Sequence, residues 1–274
     1  MISFRKPVPT FRDHALIVPA HKLEIRGLSK VFHQAGKRQI PVLADLSFAV
    51  ADLEFVAVIG PSGCGKSTFL RIVDGLINPD SGSVLIDGTQ VKGPGHGRAM
   101  VFQGFDLFPW RTAIENVAFG LEMQDLNAAE RRKIAQHYIN LVGLSGFEQA
   151  YPFQLSGGMQ QRIGIARALA IKPSILLMDE PFGALDVQTR ELLQDELLQI
   201  WQRERKTVLF VTHSIEEAIY LADRIVAFTP RPARIDRIIE VPFGRPRSEE
   251  LKTTVPFAEL RREIWNVLKR GVAI

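Results

Sequence analysis

Residues 60–67 read Gly-Pro-Ser-Gly-Cys-Gly-Lys-Ser, which is the complete phosphate-binding loop G-x-x-x-x-G-K-[ST]. The apolar run Phe55–Ile59 before the loop predicts a buried parallel strand, and residues 67–73 after it predict a helix. A strand, a glycine-rich loop and a helix in this order direct backbone N–H groups and the positive end of the helix at phosphate oxygens. This stretch therefore predicts a nucleotide site in an α/β fold.

The residue types within the phosphate loop predict individual roles. Lys66 is expected to reach the β- and γ-phosphates, and the Ser67 hydroxyl is placed for Mg²⁺. The other residues expected to contact ATP are Gly60, Pro61, Ser62, Gly63, Cys64, Gly65 and Thr68. Cys64 is the single cysteine of the chain, so no intrachain disulfide is expected. Its place in the loop favours a loop residue over a catalytic thiol.

Composition narrows the class of protein. The 274 residues are 46% hydrophobic and 23% charged, with a formal net charge of +4, an ordinary globular balance. The basic residues form no long runs, so no nucleic-acid partner is expected. The longest apolar runs, such as residues 175–178, are far shorter than the roughly 18 residues that suggest a membrane-spanning helix. The chain is therefore expected to be a globular protein without a membrane span.

The order of elements predicts a parallel sheet with additions. Prolines and charges in residues 1–20 predict a loose N-terminal arm, and short alternating runs over residues 21–52 predict an antiparallel sheet. Residues 112–150 predict helices broken at Gly143 and Gly146. Helices are then expected at 160–170, 188–203 and 215–221, alternating with strands at 174–178, 207–211 and 224–228. A last helix, 258–270, is expected to pack back on the core. This alternation is typical of an α/β fold with a helical insertion.

An acidic pair follows the predicted strand 174–178. Asp179 at the strand tip is expected to hold Mg²⁺ from the side opposite the phosphate loop, and Glu180 is placed to polarise an attacking water as general base. An isolated Asp-Glu pair would be read as a solvated strand end. The phosphate loop upstream favours the catalytic interpretation.

Residues 155–158 read Leu-Ser-Gly-Gly, and here the chain resembles the ATP-binding-cassette (ABC) ATPases. The resemblance extends over about residues 22–230 and includes five motifs in the family's order. It implies that Ser156, Gly157 and Gly158 contact the γ-phosphate of an ATP held by a different subunit. Taken alone, a serine and two glycines at a helix start would be read as a helix cap. Met159 stands where many members carry glutamine.

The remaining motifs carry over residue by residue. Gln103 matches the glutamine that touches Mg²⁺ and water and senses the γ-phosphate, and Asp186 lies in the loop that crosses the dimer interface. His213 matches the histidine that contacts the γ-phosphate and helps to hold Glu180. Phe32 matches the aromatic residue that stacks on adenine, although a core position is an equal alternative from the residue alone. The resemblance thus implies ATP hydrolysis with Mg²⁺ in a dimer whose two sites are shared.

A role in import follows from the same resemblance. It implies a phosphate-loop core at residues 21–235 with an N-terminal antiparallel β subdomain, an inserted helical subdomain at about 106–169, and a short C-terminal extension at 236–274. Such a subunit would lie on the cytoplasmic face of the membrane. Its expected partners are a second copy, permease subunits and, indirectly, a periplasmic or surface solute-binding protein. A non-transport ABC ATPase is the alternative; a phosphate-loop kinase would have no use for residues 155–158.

Two further stretches refine this expectation. Phe105, Leu107, Phe108 and Trp110 are unusually apolar for a loop beside Gln103, and they either line a groove for a permease helix or pack against the helical block. Residues 189–197 and 229–235 resemble the nitrate, sulfonate and taurine uptake group. A small anionic solute is therefore expected, without a choice among the three.

Overall fold

The computed structural model describes residues 21–34 and 38–272, so the predicted arm at residues 1–20 lies outside the described part of the chain. The strands are β1 (Leu23–Gln34), β2 (Arg38–Val50), β3 (Phe55–Ile59), β4 (Ser81–Ile86), β5 (Thr89–Gln90), β6 (Arg98–Val101), β7 (Ile175–Asp179), β8 (Thr207–Thr212), β9 (Arg224–Phe228) and β10 (Ile235–Glu240). The helices are α1 (Lys66–Asp74), α2 (Ala113–Ala118), α3 (Ala128–Leu141), α4 (Gly157–Ala170), α5 (Val187–Glu204), α6 (Ile215–Leu221) and α7 (Val255–Val272).

A six-stranded sheet with the order β10-β9-β3-β8-β7-β6 organises the fold. The strands β9, β3, β8, β7 and β6 run parallel, and β10 pairs antiparallel with β9. The carboxyl ends of parallel strands meet at one edge of a sheet, which is where open α/β sheets bind ligands. The phosphate loop after β3, Asp179 and Glu180 at the end of β7, and His213 after β8 are therefore brought to the same edge.

The central residues of the parallel strands form continuous apolar runs because both faces of the sheet are covered. In β3, Phe55, Ala57 and Ile59 face a core shared with helices α2 to α7. Val56 and Val58 face the opposite core, which contains α1 and the antiparallel sheet. That second sheet has the order β2-β1-β4-β5 and confirms the antiparallel region expected over residues 21–52.

The inserted helices begin at local capping signals. A capping box of Thr112 with Glu115 starts α2, and a second box of Asn127 with Glu130 starts α3. A short 3₁₀ turn at Phe119–Met123 lies between these helices. Buried side chains of α2 and α3 share a core with those of α4, so the helical block predicted over residues 112–150 is confirmed.

The C-terminal part of the chain returns to the core. The sequence patterns did not indicate β10, which keeps the chain in the main sheet until Glu240. Helix α7 contains the predicted helix 258–270 and packs against the core through buried Phe257, Leu260, Ile264 and Val267. Within residues 21–34 and 38–272, no helix is both long and apolar enough to cross a membrane.

Candidate functional site

The phosphate loop closes tightly against strand β2. Gly65 has φ +124°, and a Cβ at this position would lie 2.8 Å from Val42 Cγ1, so a larger residue would require strain in both backbone and packing. Lys66 is buried, and its Nζ donates hydrogen bonds to the carbonyl oxygens of Gly60 at 2.9 Å and Pro61 at 3.3 Å. The lysine ammonium is therefore held over its own loop at the N-terminus of α1.

Ser67 and Asp179 form the predicted pair across the loop. The Ser67 hydroxyl donates a hydrogen bond to Asp179 Oδ1 at 2.9 Å. Burial raises the pKa of the Asp179 carboxyl, although the bond from Ser67 and the charges of Arg71 and Lys66 oppose this shift. A buried carboxylate is costly unless a cation compensates it. A hydroxyl and a carboxylate are oxygen ligands that suit Mg²⁺, which usually completes its shell with waters and phosphate oxygens, so the pair fits this ion.

Glu180 adopts a backbone conformation that non-glycine residues seldom occupy. Its φ is +45°, and such left-handed residues cost of order 1–3 kcal/mol and cluster at functional sites. The Glu180 N–H donates to the Val211 carbonyl at 2.9 Å, and the Glu180 carbonyl accepts from the Gly183 N–H at 3.0 Å. These two bonds keep the carboxylate at the end of β7 facing the phosphate loop, where Lys66 Nζ lies 3.8 Å from Glu180 Oε1.

His213 completes this cluster. Its Nδ1 lies 2.9 Å from Glu180 Oε2, while most of the imidazole surface is exposed. The residue before it, Thr212, donates its hydroxyl proton to Glu217 and accepts a hydrogen bond from the Ser214 N–H at 3.0 Å. Burial raises the pKa of the Glu217 carboxyl. The sequence analysis missed these buried hydrogen bonds next to His213, because neither Thr212 nor Glu217 belongs to a recognisable motif.

Phe32 and Gln103 lie on exposed surface. The Phe32 ring is 39% exposed, with Lys30 Nζ 5.5 Å from its centroid, so the ring is not part of the hydrophobic core. Gln103 is exposed, and its Nε2 lies 3.6 Å from the position that a Cβ on Gly183 would take. The Gln103 amide therefore borders the turn that follows Glu180.

The residues expected to face another subunit lie together in this chain. Ser156 Oγ accepts a hydrogen bond from the Met159 N–H at 3.3 Å and so caps α4, while Asp186 caps α5 through the Thr189 N–H at 3.0 Å. A Cβ on Gly158 would lie only 2.7 Å from Thr189 Cγ2. In the described ranges, no hydrogen bond or ion pair joins Ser156, Gly157, Gly158 or Asp186 to the phosphate loop.

The apolar loop 105–110 divides between two environments. Phe108 packs on the helical block, with its ring centroid 4.5 Å from that of Phe119 and the Arg111 guanidinium 5.7 Å away. Trp110, by contrast, is 72% exposed. Packing on the helical block therefore explains why Phe108 is apolar. The Trp110 side chain, in contrast, leaves most of its apolar surface exposed to solvent.

A further contact to the phosphate loop comes from the β9–β10 turn. Arg231 donates from Nε and one terminal nitrogen to the Gly63 carbonyl, at 3.1 and 2.6 Å. The sequence marked residues 229–235 only for their resemblance, and no local pattern indicates this distant partner. Helix α7 also reaches the loop, with Trp265, Leu268 and Lys269 lining a hollow beside Gly60, Pro61 and Ser62.

Comparisons with known proteins show the family of this chain. Residues 43–183 match the family model described as ABC transporter. The chain is 54% identical to an uncharacterized ABC transporter ATP-binding protein of Methanocaldococcus jannaschii, covering 92% of each chain. It is 47% identical to a nitrate import ATP-binding protein of Synechococcus elongatus, covering 84% of this chain and 86% of the relative. A solved dimeric ATP-binding cassette in a post-hydrolysis state with ADP and Pi is 34% identical, with a TM-score of 0.71, covering 81% of this chain and all of that chain.

Proposed function

This chain belongs to the ABC transporter family of ATPases, and from that membership we propose that it is the ATP-hydrolysing subunit of an importer for a small anionic solute. One observation carries the proposal for the site. Three elements bring their side chains to one edge of the parallel sheet: Lys66 and Ser67 start α1, Asp179 and Glu180 stand at the end of β7, and His213 follows β8. This arrangement can hold a triphosphate and orient a water against its terminal phosphate.

The proposed roles follow from the contacts. Lys66 exchanges its bonds to Gly60 and Pro61 for β- and γ-phosphate oxygens, and Glu180 accepts a proton from the attacking water while His213 fixes the carboxylate. Ser67 and Asp179 would hold Mg²⁺, with Gln103 as a further ligand; the ion supplies charge neutralisation on the phosphates. Positioning and electrostatics, rather than covalent chemistry, would lower the barrier.

The remaining proposed roles concern nucleotide binding and a second copy. Phe32 would stack on adenine. The residues of the phosphate loop, Gly60 to Thr68, would bind the phosphates through their N–H groups and side chains. Ser156, Gly157, Gly158 and Asp186 would complete the site of the partner in an ATP-bound dimer. The dimeric state of the similar solved cassette supports this part of the proposal.

The proposed partners are a separate permease and, through it, a solute-binding protein at the outer side of the membrane. Supporting observations are the nitrate-import relative and the exposed Trp110, which offers an apolar contact on the helical subdomain. We place that subdomain at about residues 106–169 within an ATPase domain of 21–235, followed by an extension at 236–274. The subunit would lie at the cytoplasmic membrane face, and nitrate, a sulfonate or taurine would be the solute.

Glu180→Gln tests the shared site. The variant should bind ATP but not hydrolyse it, because the amide cannot accept a proton from water, and it should elute as a dimer on gel filtration with ATP and Mg²⁺. Glu240→Gln, on an exposed side chain at the end of β10, is the matched control and should hydrolyse ATP at the normal rate. A Glu180→Gln protein that stays monomeric at saturating ATP would contradict the shared-site proposal.

A further inference from the structure

Helix α7 carries a second stripe of side chains apart from its buried face. Val255, Ala258, Arg262, Trp265 and Lys269 recur at alternating spacings of three, four, three and four residues, the pattern of a helix seam that packs against another element. We call these five residues the α7 seam. They line two adjoining hollows of about 790 and 350 Å³. Trp265 borders both hollows and is 59% exposed, so nothing within residues 21–34 and 38–272 covers the seam.

The α7 seam lies beside the phosphate loop and beside the segment that begins at His213. The larger hollow is closed on its other side by His213, Ser214, Ile215 and Glu216. The smaller hollow contains His213 together with Gly60, Pro61 and Ser62 of the phosphate loop. A partner molecule that covers both the phosphate loop and His213 therefore contacts Trp265 as well.

The chemistry of the seam suits a protein surface. An exposed tryptophan flanked by cationic side chains is typical of interface anchors, which gain affinity when they are desolvated. Arg261, next to the seam, is paired with Glu216 at 2.6 Å. Arg262 and Lys269 have no carboxylate within 4.0 Å in the part of the chain that the structure describes. Glu216 and Glu259 also line the larger hollow, whereas no carboxylate lines the smaller one; the seam can therefore accept an apolar contact at Trp265 and an acidic one at Lys269.

The proposed dimer determines what would arrive there. Within one chain, residues 155–158 (the signature segment) contact the start of α5, since Cβ positions on Gly157 and Gly158 would lie 3.5 Å from Leu185 and 2.7 Å from Thr189. A second copy that brings its signature segment to this phosphate loop must bring the first turns of its α5 too. Those turns expose Val187 and Glu191, whose carboxylate lies 4.0 Å from Lys252 of its own chain and remains half exposed, so it can also face the cations beside Trp265.

We propose that the α7 seam is an interface between two copies of this chain, covered in the ATP-bound dimer by the first turns of the partner's α5. The proposal rests on the shared-site dimer proposed above. Two-fold symmetry makes the same contact twice, so each α7 would clamp the α5 of the other copy. The contacts of α7 would then lower the dissociation constant of the dimer further than the bound nucleotide does alone.

Tryptophan quenching tests the contact without altering the seam. In a Glu180→Gln, Trp110→Phe protein, Trp201 is buried and Trp265 dominates quenching by acrylamide. ATP and Mg²⁺ should remove most of the accessibility of Trp265 at protein concentrations where the dimer forms. Dilution to monomer at saturating ATP should restore it, which separates cover by the partner from cover by the nucleotide.

A pair of charge substitutions tests the energetics. In the Glu180→Gln background, Trp265→Glu should raise the dimer dissociation constant at least about tenfold, the scale of a buried interface tryptophan. Asn266→Glu, exposed on the neighbouring side of α7 and outside both hollows, is the matched control and should leave the constant unchanged. Circular dichroism melting of both variants verifies that α7 remains folded.

The outcomes are distinguishable. An ATP-bound dimer in which Trp265 stays accessible, or in which Trp265→Glu and Asn266→Glu dimerise equally, overturns the interface alone. A tighter dimer with Trp265→Glu also overturns it, since α7 would then obstruct closure. Absence of any ATP-dependent dimer in the Glu180→Gln parent overturns the proposed function and the interface with it.

Discussion

Replacing Phe32 with alanine separates its proposed adenine contact from a structural role. Deletion of a core aromatic side chain costs about 3–5 kcal/mol of the free energy of unfolding. Phe32 is 39% exposed and makes a cation–π contact with Lys30, whose ammonium also donates a hydrogen bond to Asp80 at 2.8 Å. The loss in the free energy of unfolding should therefore fall well below the core value.

The effect on nucleotide affinity should be larger. Stacking between a base and an aromatic ring is worth about 1–3 kcal/mol, and 1.4 kcal/mol corresponds to a tenfold change in a dissociation constant. Phe32→Ala should thus raise the Kd for ATP roughly 5- to 150-fold. The Kd for GTP should rise by a similar factor, because stacking contacts the face of a base and not its edges.

Isothermal titration with ATP and GTP, together with thermal melting, measures both quantities on one preparation. Phe147→Ala is the matched control, because this ring is 45% exposed in the helical block and no motif places it near the nucleotide. It should bind ATP normally. The reasoning would be refuted by an unchanged ATP affinity for Phe32→Ala, or by a loss of folding stability as large as that of a core deletion.

Two further predictions concern Asp179 and the apolar loop. Burial raises the pKa of Asp179 above its ordinary value, so the ionised carboxylate destabilises the folded protein above the raised pKa, and this penalty vanishes as the pH falls through the raised pKa to the ordinary pKa of an aspartate. Asp179→Asn should therefore raise the melting temperature of the ligand-free protein at pH 7 while abolishing hydrolysis. The gain should shrink in melts at lower pH, and a lower melting temperature at pH 7 would contradict the argument. Trp110→Ala should keep the melting temperature, since the side chain is exposed, but should abolish co-purification with the proposed permease in pull-downs; normal co-purification would place the contact elsewhere. Phe108→Ala should lower the melting temperature, because this ring packs on Phe119.

The sequence by itself determined the features that depend on contiguous residues. The loop of residues 60–67 predicts its own conformation, since Gly65 takes a positive φ and Lys66 begins a helix within the same eight residues. The continuous apolar runs within β3, β7 and β8 likewise predict a sheet covered on both faces. The sequence predicted Asp179 at a strand tip opposite that loop, whereas the expectation for His213 rested on the family resemblance; the order of the parallel strands brings both residues to the edge that holds the loop.

Only the tertiary structure decided the contacts between distant segments. Arg231 reaches Gly63 across 168 residues, and Thr212 with Glu217 supports His213 from below. The periodicity of α7 shows which of its faces are apolar, but it does not show that one of them borders the phosphate loop. The physical reason is that the hydrophobic effect is non-directional, so the pattern of apolar residues shows which face of an element is buried but not which element covers it. The covering element depends on how all the helices and strands pack together.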